Sequence, residues 1–431
     1  MTRFRSFLLA ATAASVAGCG GSSGNGSAAT PDGCSIAGQN NFVLSTMENI
    51  YLWNTEIPDV DPLAYESPDA LLEAVRFLPI DRFSFLTTIA SENALFGNSQ
   101  FAGFGFRSQS KDSERIVSEV FEGSPAAQGG LVRGAAVTSI DGRPIAEVLA
   151  NEGFSAALGP PEVGVTRTLG LRLPDGAVTE TTITKDVVTI GPVSGVSVLD
   201  VNGVPTGYMN FRTFTEPAAS ALSEAADLLL AGSVSQLVLD LRYNGGGLLS
   251  IAEYLAGLLG GQITAGQVFV TNQFNDNNDF RNDSRDFPNP VNALNLGRIV
   301  FITTGATASA SEIVINGLEP FVEVAIVGST TFGKPVGQLG FAFCERVLRP
   351  ASFQTVNADG EGEFFAGIAP DCEAEDDLSK PLGDPREASM AEALHLLETG
   401  TCSTPAATID STAPRAKAAP AAARYGWLQA D

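Results

Sequence analysis

Three residues in the last third of the chain are its best candidates for a serine nucleophile, its base and a group that orients the base. Ser309 follows an apolar run, Ile299–Thr303, that predicts a buried strand, and a helical pattern begins at the serine itself. Lys334 lies 25 positions after Ser309 (334 − 309), and Gln338 lies four positions after Lys334. Backbone N–H groups at a helix start favour developing negative charge, so this turn suits a nucleophile.

The base of a serine nucleophile is most often a histidine. The chain contains one histidine, His395, which lies in a C-terminal helical pattern far in sequence from Ser309. A lysine serves instead when burial keeps it neutral and lowers its pKa from about 10.4 toward about 7–8. Lys334 follows the apolar run Val322–Val327, which predicts a second buried strand, and is therefore the candidate base.

Two structural alternatives apply to the same residues. Ser309 and Glu312 form the S-x-x-E pattern of a capping box, in which the serine would only cap the helix. The stretch Gly328–Lys334 matches most of a phosphate-binding loop, but Pro335 stands where that motif needs a hydroxyl for Mg²⁺. A nucleotide site is therefore disfavoured.

The motifs taken together resemble the C-terminal processing, or tail-specific, protease family. They are SASE (Ser309–Glu312), TFGK (Thr331–Lys334), the glutamine Gln338 and DLRYNGGG (Asp240–Gly247), in the family's order and over roughly residues 40–400. The resemblance implies that the first serine of SASE is the nucleophile, that the lysine of TFGK is the general base and that Gln338 orients the lysine.

The same resemblance implies an oxyanion hole and a fold for residues 191–402. The N–H of Ala310 would pair with the N–H of Gly245 or of Gly246, and the sequence does not decide between the two glycines. The alternating strands and helices of this region would form a catalytic domain like the ClpP and crotonase β-β-α superhelix.

Residues 96–190 consist of short β-type runs separated by glycine turns, and their order resembles a PDZ domain. Gly103, Phe104, Gly105 and Phe106 would form its carboxylate-binding loop, and Ser124–Gly129 would open a short helix. Such loops hold a peptide's terminal carboxylate on consecutive N–H groups while the peptide adds to the sheet edge. The alternative is a small β domain that binds nothing.

Residues 34–95 predict an N-terminal helical cap without evident chemistry, including a helix that starts at Ser67-Pro68-Asp69. The predicted fold class is therefore α+β, with a helical cap, a PDZ-like β domain and the catalytic domain in that order.

Residues 1–18 read as an export signal that ends in Val16-Ala17-Gly18-Cys19. This ending resembles a bacterial lipobox, which implies lipidation of Cys19, whereas a plain secretory signal is the alternative. Residues 19–33 predict a flexible Gly/Ser-rich tether, and residues 403–431 predict a disordered tail rich in Ala, Pro and Thr.

Four further cysteines, Cys34, Cys344, Cys372 and Cys402, suggest two disulfides in an exported protein, with three possible pairings. Cys344 and Cys372 flank an alternating stretch with a turn at Asp359-Gly360, which favours a hairpin closed by Cys344–Cys372. The pair Cys34–Cys402 would then join the chain ends. Free buried thiols are the alternative.

Composition narrows the possible partners. The net charge is −24 over 431 residues and is spread along the chain, which disfavours nucleic acid and anionic lipid surfaces as partners. Asn275–Asp286 lacks the glycine and the final glutamate of an EF-hand, so we expect neither a metal nor a cofactor.

These observations predict a lipid-anchored, extracytoplasmic serine endopeptidase of the bacterial cell envelope. Its substrates would be polypeptides with accessible C-termini, and only the lipid anchor would contact the membrane. The main alternative is a catalytically silent peptide- or lipid-binding lipoprotein on the same fold. An acyl-transfer enzyme of the crotonase-like class is disfavoured, because acyl-CoA substrates are cytoplasmic.

Overall fold

A computed structural model describes residues 33–111 and 114–403, and the structural statements below concern these residues. The predicted signal segment, Cys19, nearly all of the predicted tether and nearly all of the predicted tail lie outside them. No helix in the two described stretches combines the length and the apolar character that crossing a bilayer requires.

The N-terminal part is mostly helical, and it packs on strands from the far end of the chain. Ser67 accepts a hydrogen bond from the N–H of Ala70 at 3.2 Å, which confirms the predicted helix start. The core of this part also contains Val336, Phe343 and Leu348, so the cap is not an independent unit. Its regular elements are α1 (Ile36–Ile50), α2 (Pro68–Val75), β1 (Phe85–Thr88) and α3 (Ile89–Glu92).

The middle part contains a β domain with its own core around Phe104, Phe106 and Phe154. Its elements are β2 (Gln100–Gly103), β3 (Phe106–Lys111), β4 (Glu114–Val120), α4 (Pro125–Gln128), β5 (Ala136–Ile140), β6 (Arg143–Pro144), α5 (Ile145–Asn151), α6 (Phe154–Leu158), β7 (Thr166–Arg172), β8 (Val178–Thr184) and β9 (Asp186–Thr189). The sheet has the strand order β3-β4-β5-β7-β8, with β6 paired to β5, while β2 pairs with β9 in a separate ribbon.

The C-terminal part is built on a six-stranded sheet with helices on both faces. The strand order is β10-β11-β12-β15-β16-β21, and β11, β12, β15, β16 and β21 run parallel. The elements of this sheet and its helices are β10 (Val193–Val201), β11 (Val204–Phe211), α7 (Ala218–Ala231), β12 (Gln236–Asp240), α8 (Leu249–Gly260), β15 (Arg298–Thr303), α9 (Ala310–Leu318), β16 (Glu323–Gly328), β21 (Cys372–Glu373) and α10 (Ala388–Thr399).

The central strands are apolar throughout because both of their faces are covered. Leu237 and Leu239 of β12 pack in the cluster that contains the apolar faces of α7, α8 and α9. Val238, which points to the other face, packs in the cluster that contains Met390 and Leu396 of α10. The predicted buried strands over Ile299–Thr303 and Val322–Val327 are confirmed as β15 and β16.

Two smaller sheets complete the fold. One has the order β14-β13-β20-β17, and the other has the order β1-β19-β18, so the N-terminal strand β1 is joined to C-terminal strands. The remaining strands are β13 (Val268–Phe274), β14 (Asp283–Asp286), β17 (Val336–Gln338), β18 (Phe341–Phe343), β19 (Arg346–Arg349) and β20 (Ala351–Val356).

The predicted disulfide pairing is wrong. The structure joins Cys34 to Cys344, with the Cα atoms 5.9 Å apart, and Cys372 to Cys402, with the Cα atoms 5.4 Å apart. Cys344 lies in the turn between β18 and β19, whereas Cys372 lies on β21 at the edge of the six-stranded sheet. The stretch between them therefore does not form one hairpin, because its strands belong to three different sheets.

Candidate active site

Three loops that follow adjacent parallel strands meet at one edge of the six-stranded sheet. The glycine loop follows β12, the turn that ends at Ser309 follows β15, and the loop that carries Lys334 follows β16. Since β12, β15 and β16 are neighbours in one parallel ladder, their carboxyl ends lie side by side. The topology thus brings together residues that are up to 90 positions apart.

Ser309 occupies the position immediately before α9 with an unusual backbone conformation, φ 56° and ψ −118°. A positive φ is uncommon for a residue with a Cβ atom and is most often found where the surrounding structure enforces it. The Ser309 N–H donates to Glu312 Oε2 at 2.8 Å, so the Glu312 half of the predicted capping box is present.

Lys334 and Gln338 are in direct contact through their side chains. Lys334 Nζ donates to Gln338 Oε1 at 2.6 Å. The Gln338 side chain is oriented in turn, because its Nε2 donates to the carbonyl oxygens of Phe83 at 2.7 Å and Arg349 at 2.9 Å. Burial, together with the positive charge of Arg349, lowers the pKa of Lys334 to about 8. The negative charges of Asp81 and Glu312 act in the opposite direction and raise this pKa. The amine is thus poised to be neutral in mildly alkaline solution.

Glu312 links the turn that carries Ser309 to the loop that carries Lys334. Besides Ser309, its carboxylate accepts hydrogen bonds from Thr331 Oγ1 at 2.5 Å and from the N–H groups of Gly333 at 2.6 Å and Lys334 at 2.9 Å. Burial raises the pKa of this carboxyl, and the four donors oppose that rise. A buried carboxylate is tolerated only with such partners, so Glu312 ties the two loops to each other.

The N-terminal segment before β1 also reaches the site, which no motif in the sequence indicates. Arg82 Nη2 donates to the carbonyl oxygens of Phe332 at 2.7 Å, of Gly333 at 3.2 Å and of Phe365 at 3.2 Å. Because the Phe83 carbonyl accepts a hydrogen bond from Gln338, two successive N-terminal residues support the loop that carries Lys334 and the side chain of Gln338. The only sequence signal was the short polar stretch Asp81-Arg82-Phe83-Ser84.

The glycine loop is fastened to the turn that carries Ser309. The Asn244 carbonyl accepts hydrogen bonds from the N–H of Ala308 and from Ser311 Oγ, each at 3.0 Å. Gly246 has φ +93°, and a Cβ atom at this position would lie 2.8 Å from the Ala310 nitrogen and from Ser309 Cβ. The Gly246 N–H donates to Asn244 Oδ1 at 3.0 Å, while Gly245 lines the cavity beside Ser309.

A buried charge network anchors the strand that leads into this loop. Arg242 is fully buried and forms ion pairs with Asp240 at 2.7 Å, Glu387 at 2.9 Å and Asp376 at 3.1 Å. Arg133 of the β domain pairs with the same Asp376 at 2.6 Å. Surrounding a buried guanidinium with carboxylates satisfies its donors and fixes the end of β12.

The candidate catalytic residues border one cavity of about 150 Å³. No hydrogen bond joins the Ser309 hydroxyl to Lys334 within the described residues, but both side chains line this space. His395 lies on α10 and does not line it. The lining residues are Phe85, Phe96, Gly245, Gly247, Leu248, Leu249, Ser309, Ala310, Ile313, Lys334, Val336, Gly337, Gln338, Arg349 and Phe353.

A larger cavity of about 450 Å³ adjoins the predicted carboxylate-binding loop. It is lined by Gly103 and Phe104 of that loop and by Lys185, and it shares Phe85 and Phe96 with the cavity that contains Ser309. Phe106 lies in the core of the β domain and does not line the cavity. The two aromatic side chains of this loop, Phe104 and Phe106, therefore pack in the core of the β domain.

One cluster in the described chain has the spacing of metal ligands: Cys372, Glu392 and Cys402. Because the two sulfurs are joined in a disulfide, they are not the thiolates that bind metals.

Comparison with known proteins gives two family matches within the described chain. Residues 38–85 match the family model for the peptidase S41 N-terminal domain, and residues 205–374 match the model for peptidase family S41. The second match spans the glycine loop, Ser309, Lys334 and Gln338.

Relatives with curated descriptions are distant in sequence. The carboxy-terminal processing protease CtpA of Bacillus subtilis (strain 168) is 25% identical over 281 residues, which are 64% of this chain and 57% of that protein. The chloroplastic carboxyl-terminal-processing peptidase 3 of Arabidopsis thaliana is 26% identical over 330 residues, which are 71% of this chain and 59% of that protein. The matched region thus spans less than two thirds of the length of either relative.

Solved structures share the fold over most of their length. A crystal structure from Bacteroides fragilis NCTC 9343, described as an S41 protease, aligns with a TM-score of 0.70 at 26% identity and covers 84% of this chain and 97% of that one. The photosystem II D1 C-terminal processing protease aligns with a TM-score of 0.53 at 20% identity and covers 85% and 98%, respectively.

Proposed function

Because the chain belongs to peptidase family S41, we propose that it is a serine endopeptidase that cleaves polypeptides with a Ser309–Lys334 dyad. The observation that carries the proposal is the half-buried Lys334 side chain, whose amine donates to Gln338 at 2.6 Å in the cavity that also contains Ser309 at a helix start. A pure binding protein has no need of a lysine whose charge is opposed by burial. The silent-binder alternative is therefore disfavoured.

The proposed reaction proceeds in two halves. Neutral Lys334 takes the proton of the Ser309 hydroxyl while Oγ attacks the substrate carbonyl carbon. The N–H groups of Ala310 and Gly245 stabilise the oxyanion, because the Gly246 N–H already donates to Asn244 Oδ1. The Lys334 ammonium then protonates the leaving amine, which departs as the new N-terminus. Water, deprotonated by Lys334, hydrolyses the acyl-enzyme and restores the serine.

We propose that the β domain binds the substrate's C-terminal tail. The loop Gly103–Phe106 precedes β3, which is an edge strand, so a peptide could extend this sheet. The adjoining cavity shares Phe85 and Phe96 with the catalytic cavity. This continuity supports a path along which a bound tail leads toward Ser309.

The location is part of the proposal: a lipid on Cys19 anchors the protein on the extracytoplasmic side of a bacterial membrane. Two disulfides in the described chain support an oxidising compartment. Membrane fractionation of cells that express the wild type and Cys19→Ala tests this anchor. We expect the wild type in the membrane fraction and the variant in the soluble fraction or as an unprocessed species.

The activity is tested by incubating the protein with unstructured peptides and identifying the fragments by mass spectrometry. Ser309→Ala and Lys334→Ala should each abolish cleavage. His395→Ala is the matched control and should retain most of the activity, because His395 does not line the catalytic cavity. Equal loss in His395→Ala and Ser309→Ala would contradict the Ser-Lys assignment.

Tail binding is tested with one peptide prepared as the free acid and as the C-terminal amide. A carboxylate that accepts hydrogen bonds from loop N–H groups should improve kcat/KM by roughly ten- to hundred-fold, which corresponds to about 1.5–3 kcal/mol. Equal cleavage of the acid and the amide would exclude recognition of the tail and leave the peptidase activity itself untouched.

A further inference from the structure

Arg349 of β19 lies in the catalytic cavity and contacts the orienting glutamine twice. Its carbonyl oxygen accepts a hydrogen bond from Gln338 Nε2 at 2.9 Å, and its Nη1 donates to the Gln338 carbonyl oxygen at 3.3 Å. Gln338 Oε1 accepts a hydrogen bond from Lys334 Nζ. A single residue, Gln338, therefore links Arg349 to the proposed base. No motif of the sequence singles this arginine out.

The charge of Arg349 is matched by Glu92 of α3. The two side chains form a bidentate pair, with Nε 2.7 Å from Oε1 and Nη2 2.8 Å from Oε2. They are 23% and 14% exposed, so solvent screens the pair only in part. Gly340 lies against the guanidinium, because a Cβ atom there would lie 2.9 Å from Arg349 Cζ. The arginine is thus fixed from several sides.

The other charged groups near Lys334 have partners that fix them in place. Asp81 accepts hydrogen bonds from Tyr51 Oη and from the N–H groups of Phe83 and Ser84. Glu312 accepts four hydrogen bonds from the two catalytic loops, and Arg82 donates to three carbonyl oxygens. After burial, Arg349 is the largest influence that lowers the pKa of Lys334.

We propose that Arg349 is a positioning residue for Lys334, acting through Gln338 and through its charge, and that Glu92 sets how strongly that charge acts on the base. The proposal rests on the proposed function, in which Lys334 must be neutral to accept the Ser309 proton. A cation beside the base disfavours its ammonium form, and a carboxylate paired with that cation weakens the effect. Removing the charge of Arg349 should therefore raise the pH at which Lys334 titrates, and removing the charge of Glu92 should lower it.

The test measures the titration of Lys334 without requiring any cleavage. The full chain carrying Ser309→Ala is labelled with acetic anhydride over a range of pH, and acetylation of Lys334 is quantified by mass spectrometry. The exposed Lys111 provides the internal reference. Arg349→Gln should raise the midpoint by about 0.5–1 pH unit, whereas Glu92→Gln should lower it by a similar amount. The charge-conserving Arg349→Lys should restore the midpoint toward that of the parent chain.

Opposite shifts in the two variants support the proposal. If the Lys334 midpoint were the same in both variants, or moved in the same direction in both, the proposal would be overturned. A purely structural role of the pair does not predict that removing a positive and a negative charge shifts the midpoint in opposite directions. If Arg349→Gln did not fold, Arg349→Lys and Glu92→Gln would still decide the question. Peptide cleavage by the same variants with Ser309 intact is a separate readout, so inactivity of the wild type would refute the proposed function alone.

Discussion

The pKa of Lys334 determines the pH dependence that we expect for the proposed cleavage reaction. This pKa is lowered to about 8, mainly by burial and secondly by the charge of Arg349. Only the neutral form of Lys334 can accept the Ser309 proton. We therefore expect kcat/KM to increase about tenfold per pH unit below pH 8 and to level off above it. Steady-state cleavage of one peptide from pH 5 to 10 measures this. A flat profile would contradict the role of Lys334.

The Glu312 carboxylate joins the turn that carries Ser309 to the loop that carries Lys334. In Glu312→Gln an amide NH₂ would replace one oxygen and face backbone N–H donors, so at least one buried donor would lose its acceptor. We expect a loss of about 1–3 kcal/mol in unfolding free energy and a marked decrease in kcat. Urea denaturation and peptide cleavage measure the two effects.

Glu319→Gln is the matched control for that change, because Glu319 follows the same helix and is exposed. It should leave both quantities nearly unchanged. If the two glutamine variants behaved alike, the shared carboxylate of Glu312 would not support the site.

At the scale of residues, the roles predicted for Lys334 and Gln338 come from the resemblance of TFGK and the following glutamine to the family's motifs, and they stay a prediction. The two residues are four positions apart, and their side chains meet at 2.6 Å. Arg82 and Arg349 were not predictable in the same way. Arg82 acts on the loop of Lys334 across 250 residues of sequence, and a lone arginine in a polar stretch carries no pattern that would reveal such a contact.

At the scale of elements, the strands that carry the site were predictable because both of their faces are buried. Runs such as Ile299–Thr303 are apolar without alternation, and the structure confirms them as neighbours in a parallel ladder. The order of the strands was not readable from such runs, since every one of them presents the same pattern. It is this order that brings the glycine loop, Ser309 and Lys334 to one edge.

The close contact between two of these loops leads to a prediction about Gly246. A Cβ atom at this position would lie 2.8 Å from Ser309 Cβ, the Ala310 nitrogen and the Ala308 carbonyl oxygen, and φ is +93°. Gly246→Ala should displace the turn that holds the nucleophile and reduce kcat at least about hundredfold, the scale seen when one oxyanion donor is lost. Peptide cleavage measures the loss.

Gly297→Ala is the control for this substitution. A Cβ atom at Gly297 has no neighbour within 4 Å, and its φ lies outside the left-handed region. The control should cleave like the wild type. Full activity of Gly246→Ala would show that the two loops have room to separate.

At the scale of the whole molecule, the first helices and strand of the described chain pack against strands that lie more than 250 positions later. Strand β1 pairs with β19 from Phe85–Arg349 to Thr88–Arg346, and the core of the N-terminal part includes Val336. The sequence predicted a helical cap that packs on the following domains. It did not reveal that the cap supplies a strand and the carbonyl that orients Gln338, because these contacts cross more than 250 residues.

The spacing of the cysteines in the sequence did not predict how they pair in the fold. A hairpin between Cys344 and Cys372 was inferred from alternation and a turn, but alternation does not specify which sheet a strand joins. The cysteines pair instead with residues that the fold brings near: Cys344 with the start of α1 and Cys372 with the end of α10.

The two disulfides should contribute unequally to stability. They close loops with sequence separations of 310 and 30 residues. The chain-entropy model gives about 6 kcal/mol for the longer loop and about 4 kcal/mol for the shorter one, with native-state strain reducing both values. We therefore expect Cys34→Ala/Cys344→Ala to lower the unfolding free energy more than Cys372→Ala/Cys402→Ala does. Peptide mapping without reduction establishes the pairing, and urea denaturation gives the two losses. A larger loss in the second variant would mean that the shorter link, between β21 and α10, contributes more to the native state than loop closure predicts.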